Sequence, residues 1–332
     1  MTDPEVPQTI ADQIVSFDSM ERLLRDYFGD DYSGVEFSSC KLGGEDFRNK
    51  NLQHAAFAAA DLRSADFTFA NLEFADFSDA NLTDCDAVDA VLVGANFCNA
   101  QLSKADLSGV DASYSCLVSA DLTGASLVGS SLQGADLEDA NLANVNLTGA
   151  NLRNANLQHA DLSGAKLCGA DFTGADLTGA EFSGSDLTNA TFGGDVSGVS
   201  FQSAILVRCI FRSCRLADCD FTGAVLDHAD LSSCASRSST FVGALCNGTD
   251  FSMSDLSGTD FSRAEVREAI LFGANLGDCK FESANLRGSN LEDADVDGAL
   301  FRGANLEDAQ LPWMYCFDVL ELPIPPFWGR HR

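Results

Sequence analysis

Positive charge is scarce in this chain: 20 Lys and Arg stand against 50 Asp and Glu, a formal net charge of −30. Such a surface repels polyanions, which argues against direct contact with nucleic acid or an anionic membrane and in favour of a basic protein partner. The same charge also keeps a long solvated surface from self-association. Proline is sparse at 6 residues, which with 28 Gly excludes a collagen-like or proline-rich chain, while 45% apolar residues exclude a disordered one. No run approaches the roughly 18 apolar residues of a membrane span. The N-terminal MTDPEVPQTI has neither the basic nor the apolar region of a secretory leader, so a cytoplasmic location is expected. Histidine is rare too. His54, His159, His228 and His331 lie far apart without a matching nucleophile and base, so no catalytic residue, cofactor or metal site is expected.

What is abundant is repetition. From Ala120 to Phe192 a five-residue unit recurs without slipping, with Leu or Phe at its centre and Ala, Ser, Cys or Val two residues earlier. With the centre written i, only i and i−2 are consistently apolar or small; the other three places are filled by polar residues and glycine. An amphipathic helix would repeat apolar residues at three and four, and a half-buried strand at two. A period of five instead signals stacked repeats that bury a core only together. Seven of the 12 cysteines, Cys40, Cys85, Cys209, Cys214, Cys219, Cys234 and Cys279, fall at i−2. The spacing of Cys209, Cys214 and Cys219 is the repeat itself. The cysteines are therefore expected as reduced core residues, not zinc ligands or disulfides.

The register begins at Phe37, runs in fives to Phe192, resumes at Phe201 and continues to Leu311. The step from Phe192 to Phe201 is nine residues, so either one residue has been lost or four have been inserted. Phenylalanine recurs at every fourth unit, in one series of Phe37, Phe57, Phe77 and Phe97 and another of Phe201, Phe221, Phe241, Phe261, Phe281 and Phe301. That predicts a twenty-residue turn with four sides. An insertion puts both series on one side, joined through Leu117, Leu137, Leu157 and Leu177, and is preferred on that ground. Gly193, Gly194, Asp195, Val196 and Gly198 then belong to a loop bulging from a corner. Glu45 and Lys50 occupy i−2, where small residues belong, so the first coil is expected to be frayed or adjusted.

Ahead of the repeat, Met20, Leu23, Leu24, Tyr27 and Phe28 have helical spacing behind a possible N-cap at Asp18 and predict a short amphipathic capping helix. The tail, WMYCFDVLELPIPPFW and its flanks, is apolar and broken by proline. It is expected to cover the last coil or to dimerise through it, so monomer and dimer both stay open. The expected organisation is an N-terminal segment 1–34, repeats 35–192, a loop 193–200, repeats 201–311 of the same rod, and a tail 312–332.

Units such as Ala120-Asp121-Leu122-Thr123-Gly124 resemble the A-(D/N)-L-x-x consensus of the pentapeptide-repeat family, and the resemblance covers most of the chain. It implies an all-β fold, a right-handed quadrilateral β-helix, with i and i−2 inside. At a strand spacing of about 4.8 Å the repeats would make on the order of 14 coils. Characterised members of that family include quinolone-resistance and toxin-immunity proteins that bind DNA gyrase or topoisomerase IV by imitating DNA. The resemblance therefore implies such a partner as one possibility and a general protein-binding scaffold as another.

Four outward features depart from a plain repeat. Acid is concentrated early: residues 1–195 hold 31 acidic and 9 basic residues, and 196–332 hold 19 and 11. Asp46, Asp66, Asp86 and Asp106 share the i−1 place in successive coils and should form a carboxylate ladder, either a binding surface or only consensus residues in solvent. Ile205, Val225 and Leu245 occupy i−1 where Asp or Asn is usual, with Ile210 on the next side; they read as the floor of the loop or as a contact surface. Arg208, Arg212 and Arg215 cluster nearby, and Phe69, Phe74 and Tyr114 fill normally polar positions elsewhere.

Overall fold

The computed structural model describes residues 29–312, so the predicted capping helix and the tail beyond Pro312 lie outside the described residues. Each pentapeptide makes one extended step and one turn, and where Asp or Asn stands at i−1 each of its five backbone N–H groups has its own destination. In the unit of Leu122, the central N–H donates to Asn141 in the next coil at 2.8 Å, and Gly124 donates to Ala143 at 3.0 Å. The N–H of Ala125 closes the turn on Leu122 at 2.9 Å, and Ser126 reaches back to Ala105 at 2.9 Å. The fifth, on Thr123, is taken by the Asp121 carboxylate at 3.0 Å. Asp and Asn recur at i−1 for that reason: they cap the turn that follows them.

The turn needs a left-handed residue at i+2. There φ is 59° at Asn49, 58° at His54 and 56° at Asp84, and glycine alternates with such residues along the chain. Asn, Asp and Gly enter that region most readily, which accounts for the polar, glycine-rich filling of this place. Parallel bridges join i−1 residues twenty apart, as in Asp61↔Asn81 and Asp220↔Thr240, so four units complete one coil.

The chain divides into two compact units, Met1–Glu181 and Phe182–Arg332. In the first unit, Phe37, Phe57, Phe77 and Phe97 stack with centroids 4.9, 4.9 and 4.8 Å apart. Phe47 and Phe67 stack at 5.0 Å and meet that column edge-on, Phe47 to Phe57 at 5.8 Å and Phe57 to Phe67 at 5.8 Å. The two columns come from opposite walls and interdigitate, filling the interior with ring contacts of both favoured geometries. Small residues at i−2 complete the packing. A short strand, β1, spans Asp171–Thr173. Glu45 takes the small-residue place at 7% exposure, yet the backbone bonds of its coil remain, Glu45 to Leu42 at 3.2 Å and Asp66 to Glu45 at 2.9 Å. The first coil is regular there, and the expectation of fraying is corrected.

In the second unit a column runs from Phe182 through Phe201, Phe221, Phe241, Phe261 and Phe281 to Phe301. Strand β2 spans Thr191–Gly193. Here the structure departs from the expectation: residues 193–200 form no loop and continue the repeat. Bridges step by nineteen, Asp186↔Ile205 and Thr191↔Ile210, and return to twenty at Asp195↔Arg215. Val196 is 2% exposed and Val199 0%, occupying the i and i−2 places. One residue has been lost, the small one before Asp195. Gly194 stands for two positions: it is the left-handed residue of its turn, at φ 94°, and its carbonyl accepts the Arg215 N–H at 2.9 Å, as an i−2 carbonyl does elsewhere. Glycine alone combines these roles without strain. The expected column from Phe37 through Leu177 to Phe201 is corrected as well. Phe201 stacks on Phe182 at 5.3 Å, with an interplanar angle of 22° where the coil is short.

Candidate functional site

Asp46, Asp66, Asp86 and Asp106 lie in register, joined by successive parallel bridges. Each carboxylate also caps its own turn, accepting from Arg48, Thr68, Val88 and Ser108 at 3.0, 3.0, 3.1 and 3.0 Å. The Arg48 guanidinium binds Asp46 through two further bonds of 2.9 and 2.8 Å and approaches Asp66 at 3.4 Å. Arg48 holds the Asp46 carboxyl at about 2, against an ordinary 3.8. A carboxylate depressed in this way favours the folded state above its ordinary pKa and loses the contribution as pH falls from about 4 toward 2. In Arg48→Ala the Asp46 titration, followed by carboxyl NMR, is expected to move back toward 3.8. The pair is exposed, so stability should change by less than about 1 kcal/mol.

In the second unit, Ile205, Val225 and Leu245 are joined by parallel bridges, with Ile205 40% and Leu245 38% exposed. Ile210, on the neighbouring wall, is 44% exposed. With no loop above them, the loop-floor reading of this column is corrected. Of the nearby arginines, Arg212 pairs with Asp230 at 2.7 Å and Arg215 with Asp195 at 3.6 Å, so these two answer local acids.

Aromatic residues at i+2 lie along the corners of the first unit. The His54 and Phe74 rings stack at 5.3 Å with 10° between their planes. A Cβ added to Gly94 would stand 2.6 Å from the Phe74 ring, and one added to Gly134 would stand 2.7 Å from the Tyr114 ring. Each ring therefore occupies the space over the next coil's glycine. Gly134→Ala is expected to cost about 1–2 kcal/mol, whereas Gly124→Ala, with open space around it, should cost less although its φ is similar, +67° against +65°. Denaturant unfolding of the two variants and of Tyr114→Ser/Gly134→Ala, which should recover the difference, checks this contact.

Chemistry-bearing side chains do not converge. His54, His159 and His228 sit at separate i+2 corners, and among the described residues no group of three or more His, Cys, Asp or Glu could hold a metal ion. Burial pushes the thiols of Cys85 and Cys219 up to about 12, the range of an unreactive thiol. The Cys209 and Cys219 thiols donate to the carbonyls of Leu187 and Val196 at 2.8 and 3.1 Å.

Cys98 and Cys116, both at outward places, form a disulfide across adjacent coils with Cα atoms 5.9 Å apart. The expectation of reduced cysteines concerns the seven at i−2, which are all free and buried; this outward pair lies apart from them. The residue after one centre faces the residue before a centre one coil on, a separation of 18 that only a closed twenty-residue coil brings together. No helix among the described residues is long and apolar enough to cross a membrane.

A family model described as Pentapeptide repeats (8 copies) matches residues 33–68, 46–84, 75–111, 115–154, 155–194, 239–278 and 279–312. A second, Pentapeptide repeats (9 copies), matches 177–235. Among solved structures, HetL of the cyanobacterium Nostoc sp. strain PCC 7120, a pentapeptide repeat protein involved in heterocyst differentiation regulation, is 30% identical. The match covers 70% of this chain and 89% of HetL, with a TM-score of 0.27. QnrB1, a plasmid-mediated fluoroquinolone resistance protein, is 23% identical over 58% of this chain and 92% of its own, with a TM-score of 0.34. A pentapeptide repeat protein of the Arabidopsis thaliana thylakoid lumen is 28% identical over 35% of this chain and 63% of its own, with a TM-score of 0.20. No curated protein matches. The matched segments span most of residues 33–312, the four-unit coil is that of a right-handed β-helix, and the chain belongs to the pentapeptide-repeat family.

Proposed function

We propose that the chain is a non-enzymatic scaffold that presents preformed surfaces to a protein partner. The observation that supports this best is the column of Ile205, Val225 and Leu245. At i−1 an Asp or Asn accepts the turn N–H, a bond worth about 0.5–1.5 kcal/mol. An aliphatic side chain cannot accept it and places apolar surface in water instead. Stability alone does not favour that exchange in three successive coils, but a contact surface does. Replacing Ile205 and Val225 by Asp separates folding from binding, because Asp is the residue that caps these turns elsewhere. The double variant is expected to unfold at the same or a higher denaturant concentration and to lose the partner that the wild-type chain recovers from extracts of its source cells. Equal recovery by both proteins counts against the column.

A second reading rests on the ladder and on the stretch between Arg63 and Arg153, whose sole Lys or Arg is Lys104. Those carboxylates would occupy the basic DNA-binding saddle of a topoisomerase such as DNA gyrase, and attraction of this kind weakens with salt. Gyrase supercoiling measured with the protein at two salt concentrations tests it. Unchanged supercoiling together with no salt-sensitive binding removes the DNA-mimic reading and leaves the scaffold reading intact.

A further inference from the structure

The first unit carries a second apolar surface, separate from the Ile205 column, which becomes visible once the coil length is known. Phe69 and Phe74 stand at the two corners of one wall and are 58% and 55% exposed; Tyr114, two coils beyond Phe74 on the same corner, is 65% exposed. On the next coil the Phe69 N–H meets the Val88 carbonyl at 3.0 Å and the Phe74 N–H meets that of Val93 at 3.0 Å, while Val91 pairs with Asn71 between them. Val88, Val91 and Val93 are all half-exposed. Three aromatic and three aliphatic side chains thus share one wall and its corners. The rings are held in advance, Phe74 by the His54 ring at 5.3 Å and Tyr114 by its seat over Gly134, so little side-chain freedom remains to be lost on binding.

The surroundings of this patch are anionic. Glu73 and Asp111 lie on the same wall, Asp86 and Asp89 flank Val88, and Lys104 stands at the corner of Ser64 and Asp84, one wall away; Arg48, one coil before Phe69 on its corner, is already taken by Asp46 at 2.8 Å and Asp66 at 3.4 Å. A purely apolar partner would leave those carboxylates facing it uncompensated, and a nucleic acid would meet charge of its own sign. A guanidinium satisfies both features: its plane packs on aromatic faces while its N–H groups pair with carboxylates. We propose that this wall is a docking site for an arginine-bearing, partly apolar segment of a partner protein.

The test uses the full chain and a fluorescein-labelled decapeptide of alternating Arg and Leu, read by anisotropy, beside a Lys–Leu decapeptide and a DNA duplex. The variant is Phe69→Ser/Phe74→Ser/Tyr114→Ser, which leaves every charge in place. Serine already holds this backbone position at Ser39, Ser64 and Ser119, with φ of 60°, 57° and 55°, so the variant should keep the fold, as its unfolding curve will show. The Arg–Leu peptide is expected to bind the wild type at least tenfold more tightly than the triple variant and several-fold more tightly than the Lys–Leu peptide does. The single variant Phe74→Ser should fall between. Equal binding to wild type and triple variant would show attraction by net charge only and would overturn the site, as would absence of peptide binding. Equal binding of the two peptides overturns the preference for arginine, and duplex binding that disappears in the triple variant overturns a protein partner. None of these outcomes bears on the Ile205/Val225 variant, so the two surfaces stand or fall separately.

Discussion

Val196→Asp is expected to lower the free energy of unfolding by about 3 kcal/mol, whereas the same change at a solvent-exposed loop position would stay within about 0.5 kcal/mol. Val196 is 2% exposed and its N–H is bonded to Arg215 at 2.8 Å, so a carboxylate there would enter the core of the coil stack with no cation in the interior to meet it. The change should appear first in amide exchange of the next coil, at Leu216, and of the preceding unit of the same coil, at Phe192, because each coil is stabilised mainly by its immediate neighbours. Val196→Leu, which restores the family's usual centre, should be far milder. Denaturant unfolding of the two variants checks the shortened coil, and an unchanged midpoint in Val196→Asp would return residues 193–200 to the surface.

Phe57→Ala should cost about 3–5 kcal/mol, and Phe57→Leu about 1–2 kcal/mol. Phe57 is wholly buried and touches four rings, stacked on Phe37 and Phe77 at 4.9 Å and edge-on to Phe47 and Phe67 at 5.8 Å. Leucine fills most centres of the repeat and keeps the column continuous, losing chiefly the ring contacts. Alanine opens a void between two interdigitated columns that backbone bonds on both sides prevent from collapsing. Calorimetry or denaturant melts of the three proteins measure the gap, and equal losses for Ala and Leu would mean that ring packing contributes little beyond volume.

Most of the architecture is legible in the amino-acid sequence. The period of five marked the two inward places, and the phenylalanine series gave the twenty-residue coil. At Phe192 the alignment of phenylalanines misleads, and the local signals are the better guide to register. Asp195-Val196 is a unit's own (D/N)-L pair, and Val199-Ser200-Phe201 is the next, leaving room for the loss of one residue only. Phenylalanine and leucine are interchangeable at the centre, so a coincidence of rings across a break says little about register. The carboxylate ladder was legible as an alignment but not as a set of turn caps, which depend on where backbone N–H groups point. Cys98 and Cys116 were invisible as a pair because their separation of 18 matches neither the unit nor the coil. The aromatic wall was half legible. Phe69, Phe74 and Tyr114 stood out as exposed, but Val88, Val91 and Val93 join them only when positions twenty residues apart are read side by side.

The fusion of two positions in Gly194 bears on how such a chain can change. Each pentapeptide is a quarter turn, so a residue's number fixes a compass bearing around the axis. Deleting a whole unit would swing every later wall of its unit of structure through ninety degrees and scatter any surface assembled from several coils. Losing one residue at Gly194 leaves the count of quarter turns untouched, so Phe182 and Phe201 still point the same way, as do Asp186 and Ile205. A single-residue deletion, ordinarily the harsher lesion to a packed core, is here the one that conserves orientation.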